Sequence, residues 1–169
     1  RILLAVTGLS PQIVTETLHA LAIGHDDPFV PTEVHLITTA EGAERARLAL
    51  LSDKPGWFHR LRKDFGLPEI AFDGGHIHIL RDASGQPMAD IRSPADNLAC
   101  ADFITEKVRE LSADPHSALH VSIAGGRKTM DGSLTVLQGR CVGGSTTVNS
   151  AIVSSFAFAT LPCAPMVNP

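Results

Sequence analysis

The sequence predicts an α/β protein with a mostly parallel sheet and helices on both faces of that sheet. Short apolar runs typical of buried strands alternate along the chain with segments whose core residues recur at helical spacing. Repeated alternation of this kind favours parallel strands joined by helices. The length of 169 residues suits a single hydrophobic core.

The first predicted unit is a strand, a loop and a helix. Residues 2–7 form a continuous apolar run that ends before Gly8, which indicates a buried strand. After Pro11, residues at helical spacing predict a helix. These residues are Ile13, Val14, Thr17, Leu18, Leu21 and Ala22.

A second strand and helix follow. Residues 33–38 predict the strand, and Thr39 is placed to cap a helix over residues 41–51. The predicted inner face of that helix consists of Ala43, Ala46, Leu48 and Leu51.

The remaining predicted elements lie between residues 57 and 123. A short amphipathic helix is indicated by Trp57, Phe58, Leu61 and Phe65, and a strand by Ile77, Ile79 and Leu80. Ser93 followed by Pro94 predicts the start of another helix, and residues 118–123 predict the next strand. That helix carries Leu98, Ala101, Phe103, Ile104 and Val108.

Composition restricts the class of protein. With 44% hydrophobic and 19% charged residues and no apolar run long enough to cross a bilayer, we expect a cytoplasmic protein without membrane contact. A net charge of −4 disfavours binding to long nucleic acid, which needs clustered cations. The odd set of Cys100, Cys141 and Cys163 has no C-x-x-C spacing and is interpreted as buried or free thiols.

Two loops at the predicted carboxyl ends of strands are candidates for a binding site, because open α/β sheets bind ligands there. The first loop consists of Thr7, Gly8, Leu9, Ser10, Pro11 and Gln12. The second contains Gly125, Gly126, Arg127, Lys128 and Thr129. The paired glycines of the second loop would let backbone N–H groups approach an anion, and its two cations would supply full charges, so we predict that it binds phosphate.

Each loop also has a purely structural interpretation. Ser10 before Pro11 fits a helix N-cap, and Gly-Gly-Arg-Lys fits a solvated turn. The dinucleotide pattern G-x-G-x-x-G and the Walker pattern G-x-x-x-x-G-K-[ST] are absent from these loops, which disfavours nicotinamide cofactors and nucleoside triphosphates.

Together and in this order, the two loops resemble those of CRISPR-associated Rossmann-fold (CARF) proteins of the ring nuclease group. Leu-Leu-Ala-Val-Thr-Gly-Leu-Ser-Pro-Gln and Gly-Gly-Arg-Lys carry the resemblance, and residues 88–97 support it. It covers residues 1–130 and implies a Rossmann-like CARF domain there. Residues 131–169 depart from the family pattern and are interpreted as an atypical continuation of the same domain.

The resemblance implies a homodimer that binds a cyclic oligoadenylate, such as cyclic tetra-adenylate, across its two-fold axis. It further implies a ring nuclease that switches off type III CRISPR antiviral signalling, with Ser10 and Lys128 as its catalytic residues. The implied ligand contacts are Thr7, Gly8, Leu9, Gln12, Gly125, Gly126, Arg127 and Thr129. The alternative is a CARF sensor that binds the ring without cutting it and regulates an effector nuclease.

No metal or organic cofactor is expected. His76 and His78 alternate in a predicted strand without a third ligand pattern nearby, so we interpret them as surface or core histidines. Residues 139–149 are similar to a flavin-site signature of glucose-methanol-choline oxidoreductases, but the dinucleotide-binding strand of that family is missing. The likeness therefore does not predict flavin.

Four polar residues between the two loops are ambiguous. Asp90, Arg92, Asp96 and Asn97 could line a ligand cleft. A turn followed by a capped helix start explains them equally well, so they are left out of the predicted catalytic set.

Overall fold

The computed structural model describes residues 1–24, 27–125 and 145–149, and for residues 124–125 and 145–149 it describes the backbone alone. The described strands are β1 (Ile2–Thr7), β2 (Glu33–Thr38), β3 (Ile77–Ile79), β4 (Ala118–Gly125) and β5 (Ser145–Asn149). The described α-helices are α1 (Gln12–Ile23), α2 (Ala40–Ala46), α3 (Trp57–Asp64) and α4 (Pro94–Leu111). None of these helices is long and apolar enough to cross a membrane.

The strands form one parallel sheet in the order β3-β2-β1-β4-β5. From β1 the chain moves outward through β2 to β3, and it then returns through α4 to β4 on the other side of β1. The predicted α/β, Rossmann-like fold is thereby confirmed. β5 pairs in parallel with β4 and lies in the segment that shares the flavin-like pattern.

Helices cover both faces of the sheet, as predicted. Along β1, Leu3 and Ala5 join a core cluster with α1, α2 and α3, whereas Leu4 and Val6 join a second cluster with α4. All four side chains are fully buried, because successive residues of a strand point to opposite faces and both faces are covered. This burial explains why the first strand is apolar from Ile2 to Val6.

The predicted inner face of the second helix is wrong at Leu48. Ala43 and Ala46 are buried as expected, but Leu48 is 69% exposed and Leu50 is buried in its place. The cause is a π-helical turn, Arg47–Leu51, that extends α2. Its i to i+5 hydrogen bonds widen the turn and shift the phase of the buried face.

The longest helix, α4, begins where the sequence predicts. Ser93 Oγ accepts from the Asp96 N–H at 3.1 Å, and the Asp96 carboxylate accepts from the Ser93 N–H at 2.9 Å, which is a capping box. Leu98 belongs to the predicted helix pattern but is 65% exposed. The buried residues of α4 are Cys100, Ile104 and Val108.

A segment that crosses the carboxyl edge of the sheet, residues 80–91, connects β3 to the start of α4. The Leu80 N–H donates to the Thr38 carbonyl at 2.8 Å, and the Met88 N–H donates to the Leu80 carbonyl at 2.7 Å. The Ala40 N–H donates to the Met88 carbonyl at 2.9 Å. These bonds attach the segment to the end of β2.

Cys100 is a free, buried thiol, as the cysteine pattern predicts. Burial, with a smaller contribution from the charge of Asp96, raises the pKa of this thiol to about 11. The thiol is therefore protonated and unreactive near neutral pH. Cys141 and Cys163 lie outside the described residues.

Candidate functional site

The carboxyl ends of β1 and β4 lie side by side in the sheet. The connection that leaves β1 packs over one face through α1, and the connection that returns to β4 packs over the other face through α4. Open α/β sheets bind their ligands in a crevice between the loops at such a topological switch point, so we expect the binding crevice here.

The pairing of β1 with β4 shifts register just before the two strands end. Ala5 lies opposite Ser122, but Thr7 lies opposite Gly125, so β4 has one more residue than β1 in this stretch. An extra residue of this kind bends the strand and redirects the backbone, and it is frequent next to binding sites. In this sheet the extra residue of β4 places Gly125, the first glycine of the predicted phosphate loop, opposite Thr7 at the end of β1.

The loop after β1 is closed by its own hydrogen bonds. Thr7 is only 1% exposed, and its Oγ1 donates to the Ser10 carbonyl at 3.2 Å. The Ile13 N–H donates to the same carbonyl at 3.3 Å. The buried side chain of Thr7, a predicted site residue, therefore stabilises the conformation of the loop backbone.

The same loop is also held from the neighbouring strand. The Thr38 hydroxyl, fully buried at the end of β2, donates to the Gly8 carbonyl at 2.7 Å. Gly42 of α2 packs so closely here that a Cβ atom would collide with the Thr38 hydroxyl and the Gly8 carbonyl oxygen. Neither Thr38 nor Gly42 is a predicted site residue, and their only sequence signal is their place at the end of β2 and in the first turn of the helix that follows.

Ser10, Leu9 and Gln12 lie on the outer side of this loop. Ser10 is half-buried, Gln12 is exposed at the start of α1, and Leu9 is 41% exposed. The N-cap of α1 is Pro11, without a side-chain cap, and the Ser10 hydroxyl makes no hydrogen bond to the described residues. The interpretation of Ser10 as a helix cap is therefore wrong, and its hydroxyl has no structural role in the described part of the fold.

Beneath the crevice, α1 is attached to β4. Thr17 Oγ1 and Ser122 Oγ lie 3.2 Å apart, and Ser122 is almost fully buried. The contact attaches the middle of α1 to the strand that leads into the second loop. Of that loop, the structure describes the backbone of Gly125; Gly126, Arg127, Lys128 and Thr129 lie outside the described residues.

The sequence matches the family described as CRISPR-associated protein NE0113 over residues 10–140. This range covers more than three quarters of the chain and includes both Ser10 and Lys128. The chain belongs to this CRISPR-associated family. The NE0113 match confirms the resemblance to CRISPR-associated proteins and extends past residue 130. No curated protein matches the chain.

This NE0113-family protein has a histidine cluster away from the crevice. His35 of β2 and His78 of β3 are hydrogen-bonded from Nδ1 to Nε2 at 2.9 Å. Glu33 Oε1 lies 2.8 Å from His35 Nε2 and 3.4 Å from His76 Nε2. The prediction that His76 lies in a strand is wrong, because His76 ends a 3₁₀ helix, Gly74–His76, just before β3. Sheet formation brings His78 next to His35, a neighbour that the spacing of His76 and His78 does not reveal. Among the residues the structure describes, no three His, Cys, Asp or Glu side chains are placed to hold a metal ion.

The surroundings of His35 and His78 lower the pKa of both rings and favour their neutral forms. Burial, followed by the charge of Lys107, lowers the pKa of His78 to about 4. Burial also lowers the pKa of His35, although Glu33 opposes this shift. Near pH 7 one neutral ring therefore donates to the other, and the cluster links β2 to β3.

The four ambiguous polar residues near the start of α4 separate into two groups. Asp96 is accounted for by the capping box, and Asp90 accepts from the Ile91 N–H at 2.9 Å and lies 3.6 Å from the Arg92 guanidinium. Asn97 differs, because its Oδ1 is buried and has no hydrogen-bond partner in the described chain. Helix capping explains Asp96 and leaves Asn97 unexplained.

Proposed function

We propose that this CRISPR-associated protein is a CARF ring nuclease: it binds a cyclic oligoadenylate, cyclic tetra-adenylate foremost, between two copies of the chain and cleaves it without a metal ion. Cleavage would remove the signal that activates a type III CRISPR response. The proposal rests on two grounds: the chain belongs to a CRISPR-associated family, and its two loops have residues suited to binding phosphate.

The observation that carries the proposal is the adjacency of the two loops. Thr7 pairs with Gly125, so the Ser10 loop and the Gly-Gly-Arg-Lys loop leave neighbouring strands at one edge of the sheet. Glycine backbone and two cations suit phosphate groups. The net charge of −4 suits a small anion held locally more than a long nucleic acid.

Cyclic oligoadenylate contains its own nucleophile, because each ribose 2′-hydroxyl lies beside a phosphorus atom. In-line attack forms a bond from the 2′-oxygen to phosphorus and breaks the bond from phosphorus to the 5′-oxygen. The proton lost by the 2′-hydroxyl ends on the departing 5′-oxygen. The products carry a 2′,3′-cyclic phosphate and a 5′-hydroxyl group, so the reaction needs positioning and charge stabilisation only.

Each predicted residue has a role in this scheme. Lys128 and backbone amides of its loop would stabilise the charge that develops on the phosphorane oxygens. The Ser10 hydroxyl, which caps no helix, would bind a phosphate oxygen or the attacking hydroxyl. Arg127 would hold a second phosphate with its planar guanidinium.

The test is incubation of the full chain with labelled cyclic tetra-adenylate or cyclic hexa-adenylate in EDTA, followed by separation of the products. We expect linear products that end in a 2′,3′-cyclic phosphate. Binding without cleavage would support the CARF sensor instead. Absence of binding to either ring would reject both functions, and cleavage that EDTA abolishes would reject the metal-independent mechanism.

A further inference from the structure

The side-chain oxygen of Asn97, in the first turns of α4, is a buried polar atom without a hydrogen bond to the described part of the chain. Buried acceptors are nearly always paired in folded proteins, because leaving one unpaired is costly. An unpaired one therefore needs an explanation, and a bound ligand is one such explanation.

Helical geometry places Asn97 on the sheet-facing side of α4. At 100° per residue, Asn97 shares one stripe with Cys100, Ile104 and Val108, the buried residues of this helix. Asp96, four residues before Cys100, lies at the edge of this stripe and is used by the capping box, whereas Leu98 lies off the stripe and is exposed. The amide therefore continues the inner face of α4 by one turn toward the helix start.

The start of α4 lies at the carboxyl edge of the sheet. The preceding segment is bonded to the end of β2 through Met88, and α4 ends before β4 begins, so the helix runs antiparallel to the strands. The core cluster that contains Cys100 also includes Val6 and Ile123, near the ends of β1 and β4. Because α4 runs antiparallel to the strands, we expect the stripe one turn before Cys100 to lie toward the edge from which both loops leave.

We propose that Asn97 is a specificity-determining residue that recognises an adenine base of the bound ring; the inference rests on the proposed function. An unpaired carbonyl oxygen needs a hydrogen-bond donor, and the adenine 6-amino group is the donor of that base. A carboxamide presents an acceptor beside a donor, and adenine presents its 6-amino group beside the N7 acceptor. Asn pairs with adenine through these two atoms where proteins recognise it in DNA.

The test compares two rings of the same size on the full chain. One is cyclic tetra-adenylate, and the other is built from purine ribonucleotides that lack only the 6-amino group. We expect the wild-type protein to bind cyclic tetra-adenylate about 10-fold or more tightly than the ring without amino groups. In Asn97→Leu, which has a similar shape and no amide, both rings should bind with nearly equal affinity.

A stability measurement separates recognition from a structural role. Asn97→Leu removes an unpaired acceptor, so its melting temperature should equal or exceed that of the wild type. Cys100→Ala, one turn further along the stripe, is the matched control and should lower the melting temperature while preserving discrimination between the rings. If Asn97→Leu fails to fold, Asn97→Ser provides the same comparison with a smaller side chain.

The two hypotheses fail in different ways. If wild-type protein does not bind cyclic tetra-adenylate at all, the proposed function fails and Asn97 loses its role with it. If the wild type binds both rings equally, or Asn97→Leu keeps full discrimination, the role of Asn97 is overturned and the proposed function stands. Equal weakening of both rings in Asn97→Leu would also overturn adenine recognition.

Discussion

At the scale of single residues, the proposed chemistry depends most on Lys128. Replacing it with alanine removes one charge from the transition state, so Lys128→Ala should cleave the ring about 10²- to 10³-fold more slowly. Binding should weaken less, because other phosphate contacts remain. Single-turnover cleavage and ring-binding measurements check this, with the exposed Lys63→Ala of α3 as the control. Unchanged turnover in Lys128→Ala would exclude this residue from the mechanism.

Two matched variants, Ser10→Ala and Ser93→Ala, distinguish a serine that binds the ring from a serine that caps a helix. Ser93 caps α4, so Ser93→Ala should lose about 1 kcal/mol of unfolding free energy and keep its activity per folded molecule. Ser10 caps nothing in the described fold, so Ser10→Ala should stay within about 0.5 kcal/mol of wild type. It should cleave more slowly, by a smaller factor than Lys128→Ala. Denaturant unfolding and cleavage rates together decide; a destabilised but fully active Ser10→Ala would contradict the proposed role.

Only some site residues are visible to sequence reasoning. Ser10 stands out because it precedes a proline in a glycine-containing loop. Thr38 does not, because its bond to the Gly8 carbonyl depends on β1 and β2 lying side by side, thirty residues apart in sequence. Asn97 was noticed, but helix capping explained it equally well until the structure showed its oxygen unpaired.

At the scale of the elements, β4 contains an acid-sensitive group. Burial lowers the pKa of His120 to about 4, and its Nε2 has no partner in the described chain. The unfolded value is about 6.5, so the unfolded chain binds the proton more readily between these values. Stability from neutral His120 is complete above about pH 6.5 and falls as the pH decreases toward 4, by about 2 kcal/mol at pH 4.5.

Urea unfolding at a series of pH values measures this loss. His120→Leu cannot be protonated, so its unfolding free energy should fall less steeply between pH 6.5 and 4.5 than that of the wild type. Leu98→Ala, at an exposed position on α4, changes no titratable group and should retain the wild-type slope. His78 shifts in the same direction and should account for part of the slope that remains. Identical slopes for wild type and His120→Leu would show that His120 is not the titrating group.

Several elements could be predicted because burial on both faces gives a strand several consecutive apolar residues, as in β1, or apolar residues that point to both faces, as in β2. The predictions for residues 2–7 and 33–38 coincide with β1 and β2. The exposed Leu48 could not be predicted, because helical periodicity assumes a constant 3.6 residues per turn and the π turn changes it. The strand β5 was also missed: Ser-Thr-Thr-Val-Asn is largely polar, and its place is set by pairing with β4.

At the scale of the whole molecule, we expect a homodimer to form the active site. A ring with rotational symmetry is matched most simply by a two-fold axis, with one Ser10 and one Lys128 from each protomer. Sedimentation with bound cyclic tetra-adenylate should show two chains per ring. A monomer that binds and cuts the ring would contradict this arrangement.

The charge of the molecule gives a second whole-molecule prediction. Ring affinity should fall with added salt because Arg127 and Lys128 from both chains would face its phosphates. The slope of log affinity against log salt should be shallower than about −4, because the ring has only four phosphates. Titrations between low and moderate salt measure it. No salt dependence would argue against cationic contacts, and a much steeper slope would indicate a longer nucleic acid.

Thr38 binds two parts of the chain at once. Its hydroxyl donates to the Gly8 carbonyl, and its own carbonyl accepts from Leu80 in the segment that leads to α4. The loop after β1 and residues 80–91 are therefore both hydrogen-bonded to Thr38. Movement of one segment would strain the hydrogen bond of the other. A ligand that enters between the two loops would therefore meet a loop and a connecting segment that we expect to move together.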